Sequence, residues 1–136
     1  MGYAKEIEKG WGQFWKAAVT NTTGLTITQA GKPITAYFGS STGGLTETAV
    51  NAWGTEKAFT QTVADVSSLD PVLNPRFYRW DRTITQSSVA AAFLLPDVVT
   101  LEIVTKNATG TVGTIRATSS TGIQKSLRGE TFRSRT

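Results

Sequence analysis

The sequence predicts a mainly β protein: a single antiparallel β-sandwich or jelly-roll-like domain with an N-terminal amphipathic helical arm and an extended basic C-terminal arm. Three observations carry that expectation. The chain of 136 residues holds 23 threonines, most of them between apolar residues in short alternating runs, as β-branched side chains sit on a half-buried pleated surface. Turn signals recur roughly every 8 to 15 residues, leaving room for about seven or eight short strands. The length fits one domain of ordinary size and is too short for two with good cores.

The helical arm comes first. Tyr3, Ile7, Trp11, Phe14 and Ala18 recur at helical spacing, with Trp15 beside them, which makes an apolar stripe. Lys5, Glu6, Glu8, Lys9 and Lys16 take the other faces. Gly10 and Gly12 each cost about 1 kcal/mol against Ala in a helix interior, so a kink is expected there. The helix ends near residues 20–24, "TNTTG".

Past Gly24 the pattern becomes strand-like. "LTITQAGKPITAYFG" (residues 25–39) reads as a β-hairpin around the turn "AGKP", and "GSSTGG" (39–44) as a loop. "ETAVNAW" (47–53) is ambiguous, and "KAFTQTV" (57–63) reads as a strand. Pro71 and Pro75 make "SSLDPVLNP" a turn and loop. "RFYRW" (76–80) and "TITQSSVAAAF" (83–93) look extended, and Pro96-Asp97 breaks them from "VVTLEIVTK" (98–106), the clearest strand. "NATG" is a turn, "TVGTIRATS" a strand and "SSTG" a turn. The predicted boundaries are a helical arm at 1–20, a β-sandwich at 21–122 and an extended arm at 123–136.

Composition narrows the chemistry. The chain contains no Cys and no His, so disulfides, thiolate metal sites and Ser-His or Cys-His nucleophiles are excluded, and no cofactor is implied. The N-terminus lacks the pattern of a secretory signal, and the longest apolar run, 89–99, falls short of the roughly 20 residues that span a bilayer. From Lys106 onward there are six basic residues against Glu130 alone, while the rest of the chain carries eight basic and nine acidic groups. A neutral body with a basic tail does not suit sequence-specific nucleic-acid binding, which wants a broad basic surface.

Three constellations remain. The stretch "GWGQFWK" places Trp11, Phe14 and Trp15 within five positions; buried, each stabilises by about 2 to 3 kcal/mol, so the stripe must be covered. The helix either folds back over its own domain or docks on another subunit through Ile7, Trp11, Phe14 and Trp15; a membrane surface is disfavoured by Glu6 and Glu8. "NPRFYRWDR" (74–82), if extended, sends Arg76, Tyr78, Trp80 and Arg82 to one face, either to pack in the core or to form a ligand-stacking platform with Tyr78 and Trp80. In the tail, Phe132 between Arg128 and Arg133 looks like an anchor for a neighbouring subunit, with the arginines pairing to its acids or to a polyanion. Asp65, Asp70 and Asp81 fit no ligand loop, and the glycosylation sequons at Asn21 and Asn107 are matches expected by chance in a chain so rich in Thr and Ser.

The layout of "YAKEIEKGWGQFWKAAV" as an arm, strands such as "LTITQAGKPITAYFG" and "VVTLEIVTK", and the end "LRGETFRSRT" resembles small structural proteins of tailed-bacteriophage virions, nearest to capsid decoration or cement proteins. The resemblance covers the layout and no aligned segment. It implies a non-enzymatic β-sandwich assembled into a virion in the host cytoplasm. It would bind the major capsid protein as a homo-oligomer or in many copies and clamp neighbouring subunits with its arms. Alternatives are a neck or tail component, tube or adaptor, and, from a different class, a carbohydrate-binding β-sandwich in which Tyr78, Trp80 and Trp53 stack on sugar.

Overall fold

A computed structural model of the chain describes residues 10–136. It divides into two compact units, one ending at Tyr37 and the other running from Phe38 to Thr136.

In the first unit, helix α1 spans Trp11–Asn21. It starts at Gly10, whose φ of 62° is open to glycine but strained for most residues. It ends where the Thr22 hydroxyl donates to the Ala18 carbonyl at 2.8 Å. A hairpin follows, β1 (Thr28–Gln29) antiparallel to β2 (Lys32–Pro33). Its turn residues Ala30 and Gly31 have φ of 48° and 74°, the doubly positive turn whose twist matches paired strands. The hairpin is far shorter than the alternation suggests, and all four of its strand residues are exposed. A two-stranded ribbon whose strand residues are exposed gains little by lengthening.

The second unit holds α2 (Ala49–Trp53), a 3₁₀ turn (Val66–Leu69), α3 (Gln86–Phe93), β3 (Thr100–Lys106), β4 (Val112–Thr118), β5 (Gln124–Arg128) and α4 (Gly129–Arg135). The strands form an antiparallel meander in the order β3-β4-β5. Ile115 and Ala117 of β4 are buried on one face of this sheet, where Val89, Ala90, Ala92 and Phe93 of α3 and the following Leu95 and Val98 pack with them. Phe132 of α4 closes the cluster, its ring centroid 5.7 Å from that of Phe93.

A β-sandwich or jelly roll is therefore not what forms. The described residues contain five strands in two small sheets, two of those strands being two residues long, together with four α-helices. The threonines explain much of the difference. Thr48 and Thr85 cap α2 and α3, accepting from the amides of Asn51 at 3.4 Å and Ser88 at 3.2 Å. Thr46 both donates to the Gln61 carbonyl and accepts from the Val63 amide. Side-chain to backbone bonds of this kind compete with strand ladders, and they reduce "KAFTQTV" to irregular chain beside a single bridge between Leu45 and Ala64.

Two more expectations are corrected. Residues 86–93 are a helix, because Ala90 to Ala92 are strong helix formers behind the Thr85 cap. The helix stops at Leu94, left-handed with φ 54°, just before Pro96. The C-terminal segment is no extended arm: it supplies β5 and α4, and Arg135 donates to the Ala92 carbonyl at 2.9 Å. Among the described residues, no helix is long and apolar enough to cross a membrane.

Candidate functional site

The helices cover only part of the sheet. Helix contacts fall on β4 and β5, and on the same face of the edge strand β3, Leu101 and Ile103 remain 44% and 49% exposed. These two lie directly across from Ala117 and Ile115, so the core face runs on beyond the layer that buries it. The result is an open, mainly apolar groove of about 460 Å³, floored by Ile103, Val112 and Ile115 and flanked by Ala52 of α2 and Phe132 of α4.

Glu47 is the groove's polar anchor. One carboxylate oxygen accepts from the Thr48 amide and the Asn51 side chain, both at 2.9 Å. The other accepts from Asn107 at 3.2 Å, from Thr111 at 2.5 Å and from the Thr109 hydroxyl. Partial burial by itself raises the pKa, but the bonds from Thr109, Thr111, Asn51 and the Thr48 backbone outweigh it and bring the carboxyl from 4.5 down to about 2. Glu47 is thus ionised among neutral donors, and among the described residues no ion pair offsets it.

The aromatic helix presents a different surface. Trp11, Phe14, Trp15 and Val19 on α1 are 88%, 71%, 65% and 50% exposed. Trp11 and Phe14 rest against each other with centroids 5.9 Å apart. Lys16 is the single charged residue of this helix. Ile7, expected on the same stripe, lies outside the described residues.

The other singled-out residues fall as follows. Phe132 packs on the chain's own core. Arg128 donates to the Val50 and Asn51 carbonyls at 2.8 and 2.6 Å, beside the Gly54 amide that already caps Val50 at the end of α2. Arg133 grips Glu130 with two bonds of 2.7 Å, and this pairing lowers the Glu130 pKa and raises that of Arg133. Residues 76–80 turn instead of running extended: the Tyr78 amide bonds to the Asn74 carbonyl at 2.9 Å, and the Arg76 guanidinium lies 5.3 Å from the Phe77 ring centroid. Tyr78 and Trp80 are 42% and 66% exposed. Asn74, one turn before Tyr78, lines a small recess of about 210 Å³ with Ser40, Thr42, Asp65 and Ser68. The buried Ser68 hydroxyl knits that recess, donating to the Asp65 carbonyl at 2.9 Å and accepting from the Gly44 amide at 2.8 Å. Among the described residues, no group of three acidic, His or Cys side chains is placed to hold a metal ion.

Sequence reasoning passed over Glu47, Thr109, Thr111 and Ile103, and weighed Asn107 only as a glycosylation sequon. The short span "NATGT" carries the turn signal, but nothing local announces an acidic partner some 60 residues earlier. Comparison of the chain with protein-family models, with curated proteins and with solved structures finds no match.

Proposed function

We propose that this chain is a non-enzymatic structural subunit whose work is binding other subunits. In a virion this is the role of a capsid decoration or cement protein, or of a neck or tail component. The jelly-roll body that such a resemblance implied does not form, and the support comes from elsewhere. Trp11, Phe14 and Trp15 stand in solvent on one helix face, and exposed apolar patches of this kind mark interaction surfaces. Burying such anchors at an interface contributes most of its affinity.

Sedimentation of the full chain over a range of concentrations tests the reading. Self-association by mass action is expected, weakened about 30-fold by Trp15→Ala, the equivalent of roughly 2 kcal/mol at one aromatic anchor. The melting midpoint stays within about 2 °C of wild type. A chain that is monomeric at every concentration and loses many degrees of midpoint on Trp15→Ala would show that the helix belongs to its own core.

One observation favours a second reading, carbohydrate binding. Tyr78 and Trp80 are exposed, and Asn74, whose carbonyl accepts from the Tyr78 amide, lines a recess of hydroxyl, amide and carboxylate groups; a stacking face and fixed polar groups are what a small ligand uses. Glycan-array binding lost with Trp80→Ala and kept with Trp15→Ala would select this reading.

A further inference from the structure

Two arginines beside Tyr78 and Trp80 carry charge that the chain does not neutralise, and from this we infer that the exposed rings bind an anionic sugar, one bearing carboxylate or sulfate groups, with Arg76 and Arg79 holding the charge. The inference rests on the carbohydrate reading and names the class of its ligand.

Most cations of the second unit are already engaged. Arg116 pairs with Glu102, and Arg133 with Glu130. Arg82, Lys125, Arg128 and Arg135 each donate to a backbone carbonyl. Arg76 and Arg79 are exposed, and among the described residues neither forms an ion pair; Arg76 lies over the ring of Phe77. Arg79 stands between Tyr78 and Trp80 in the sequence, and Arg76 is two residues before Tyr78. Successive Cα atoms are about 3.8 Å apart, so a guanidinium on its long side chain reaches a ligand stacked on either ring. Such a fork matches the paired oxygens of an acid group far better than it matches a hydroxyl.

The turn that leads into the rings is fixed. The Asn74 side chain donates to the Ser40 and Ser68 carbonyls at 3.3 and 3.1 Å, and the Asn74 carbonyl accepts from the Phe77 and Tyr78 amides at 3.2 and 2.9 Å. Phe77 is half-buried while Tyr78 and Trp80 stand in solvent. A site ordered before its ligand arrives loses less entropy on binding.

The local charge agrees. Asp70 is turned to the Val72 and Leu73 amides at 2.7 and 3.2 Å, and from residue 74 to 82 Asp81 is the single acid against three arginines. A polynucleotide fits less well. The second unit carries ten basic and eight acidic residues, without the basic track that a phosphate backbone follows. A short anionic sugar needs only a stacking face and a cation or two beside it.

Isothermal titration of the full chain at about 0.15 M salt, where distant surface charges are screened, tests this. The probes are a sulfated heparin hexasaccharide, a carboxylated oligogalacturonate, neutral chitohexaose and oligo(dT). At least one acidic sugar is expected to bind, with the neutral sugar and oligo(dT) about tenfold weaker or more. Arg79→Gln and Trp80→Ala are each expected to weaken the acidic sugar about tenfold, through loss of a charge-assisted bond or of the stacking face. Lys106→Gln removes the same charge from the exposed end of β3 and is expected to leave binding unchanged. All three side chains are exposed, so melting midpoints stay at the wild-type value.

Chitohexaose bound as tightly as the acidic sugars, with Arg79→Gln harmless, would overturn the inference and leave the carbohydrate reading standing. Oligo(dT) bound as tightly, or a loss from Lys106→Gln equal to that from Arg79→Gln, would reveal unselective attraction of polyanions and overturn it equally. Failure of every sugar to bind would overturn both.

Discussion

A Cβ placed on Gly129 would sit 2.1 Å from the backbone carbonyl oxygen of Val112. Gly129 opens helix α4 directly after β5, at the point where the C-terminal segment leaves the sheet and crosses β4. Backbone cannot give way as a side-chain tip can. Gly129→Ala is therefore expected to destabilise the chain by about 1 to 3 kcal/mol, the ordinary cost of overpacking. Gly39→Ala is the control, since no atom lies within 4 Å of its added Cβ. Equal melting midpoints for the two variants would show that α4 is not held against Val112.

The contact between Phe93 and Phe132 gives the second prediction. Phe93 is 1% exposed and Phe132 packs against it from α4. Phe132→Ala is expected to lower stability by about 2 to 4 kcal/mol, slightly below the range for fully buried aromatics because Phe132 is only partly buried. Chemical denaturation with an unchanged slope reads this directly. A Phe132→Ala chain as stable as wild type, with altered association instead, would return Phe132 to the role of an external anchor.

The Glu47 clamp sets a pH dependence with a definite sign. The carboxyl has a pKa of about 2 when folded against an ordinary 4.5, so the folded form binds fewer protons. Its stabilising contribution is complete above pH 4.5 and is lost as the pH falls from there through about 2. Glu47→Gln is expected to cost about 1 to 2 kcal/mol near neutral pH, allowing for the partial exposure of the group. That difference shrinks as the pH falls from 4.5 through about 2. A gap between variant and wild type that is equal at both ends of the range would mean that the carboxylate charge contributes nothing.

Leu94 supplies a prediction of opposite direction. It ends α3 in the left-handed region at φ 54° and is 74% exposed. Leu94→Gly is expected to raise stability by about 1 kcal/mol, because a side chain pays for that conformation and glycine does not. A lowered midpoint would show that the Leu94 side chain holds a contact worth more than the backbone strain.

The aromatic face of α1 and the pair of strands around the "NATG" turn were legible from the residues alone. Both are local: the stripe of Trp11, Phe14 and Trp15 has the helix period, and two β-branched runs separated by Asn and Gly can pair only as a hairpin. The helix at 86–93 was missed although its signals were present, in Thr85 as cap, three alanines and Pro96 as stop. A short apolar run has no period that separates helix from strand. Tertiary structure alone decided the rest. The "extended" tail became β5 and α4 because Leu127 and Phe132 find apolar partners on β4 and α3. The Glu47 clamp joins residues some 60 positions apart, and the groove exists only because the helices stop short of β3. Each depends on which distant surfaces meet, and a pairing between distant surfaces leaves no periodic trace in the segments that make it.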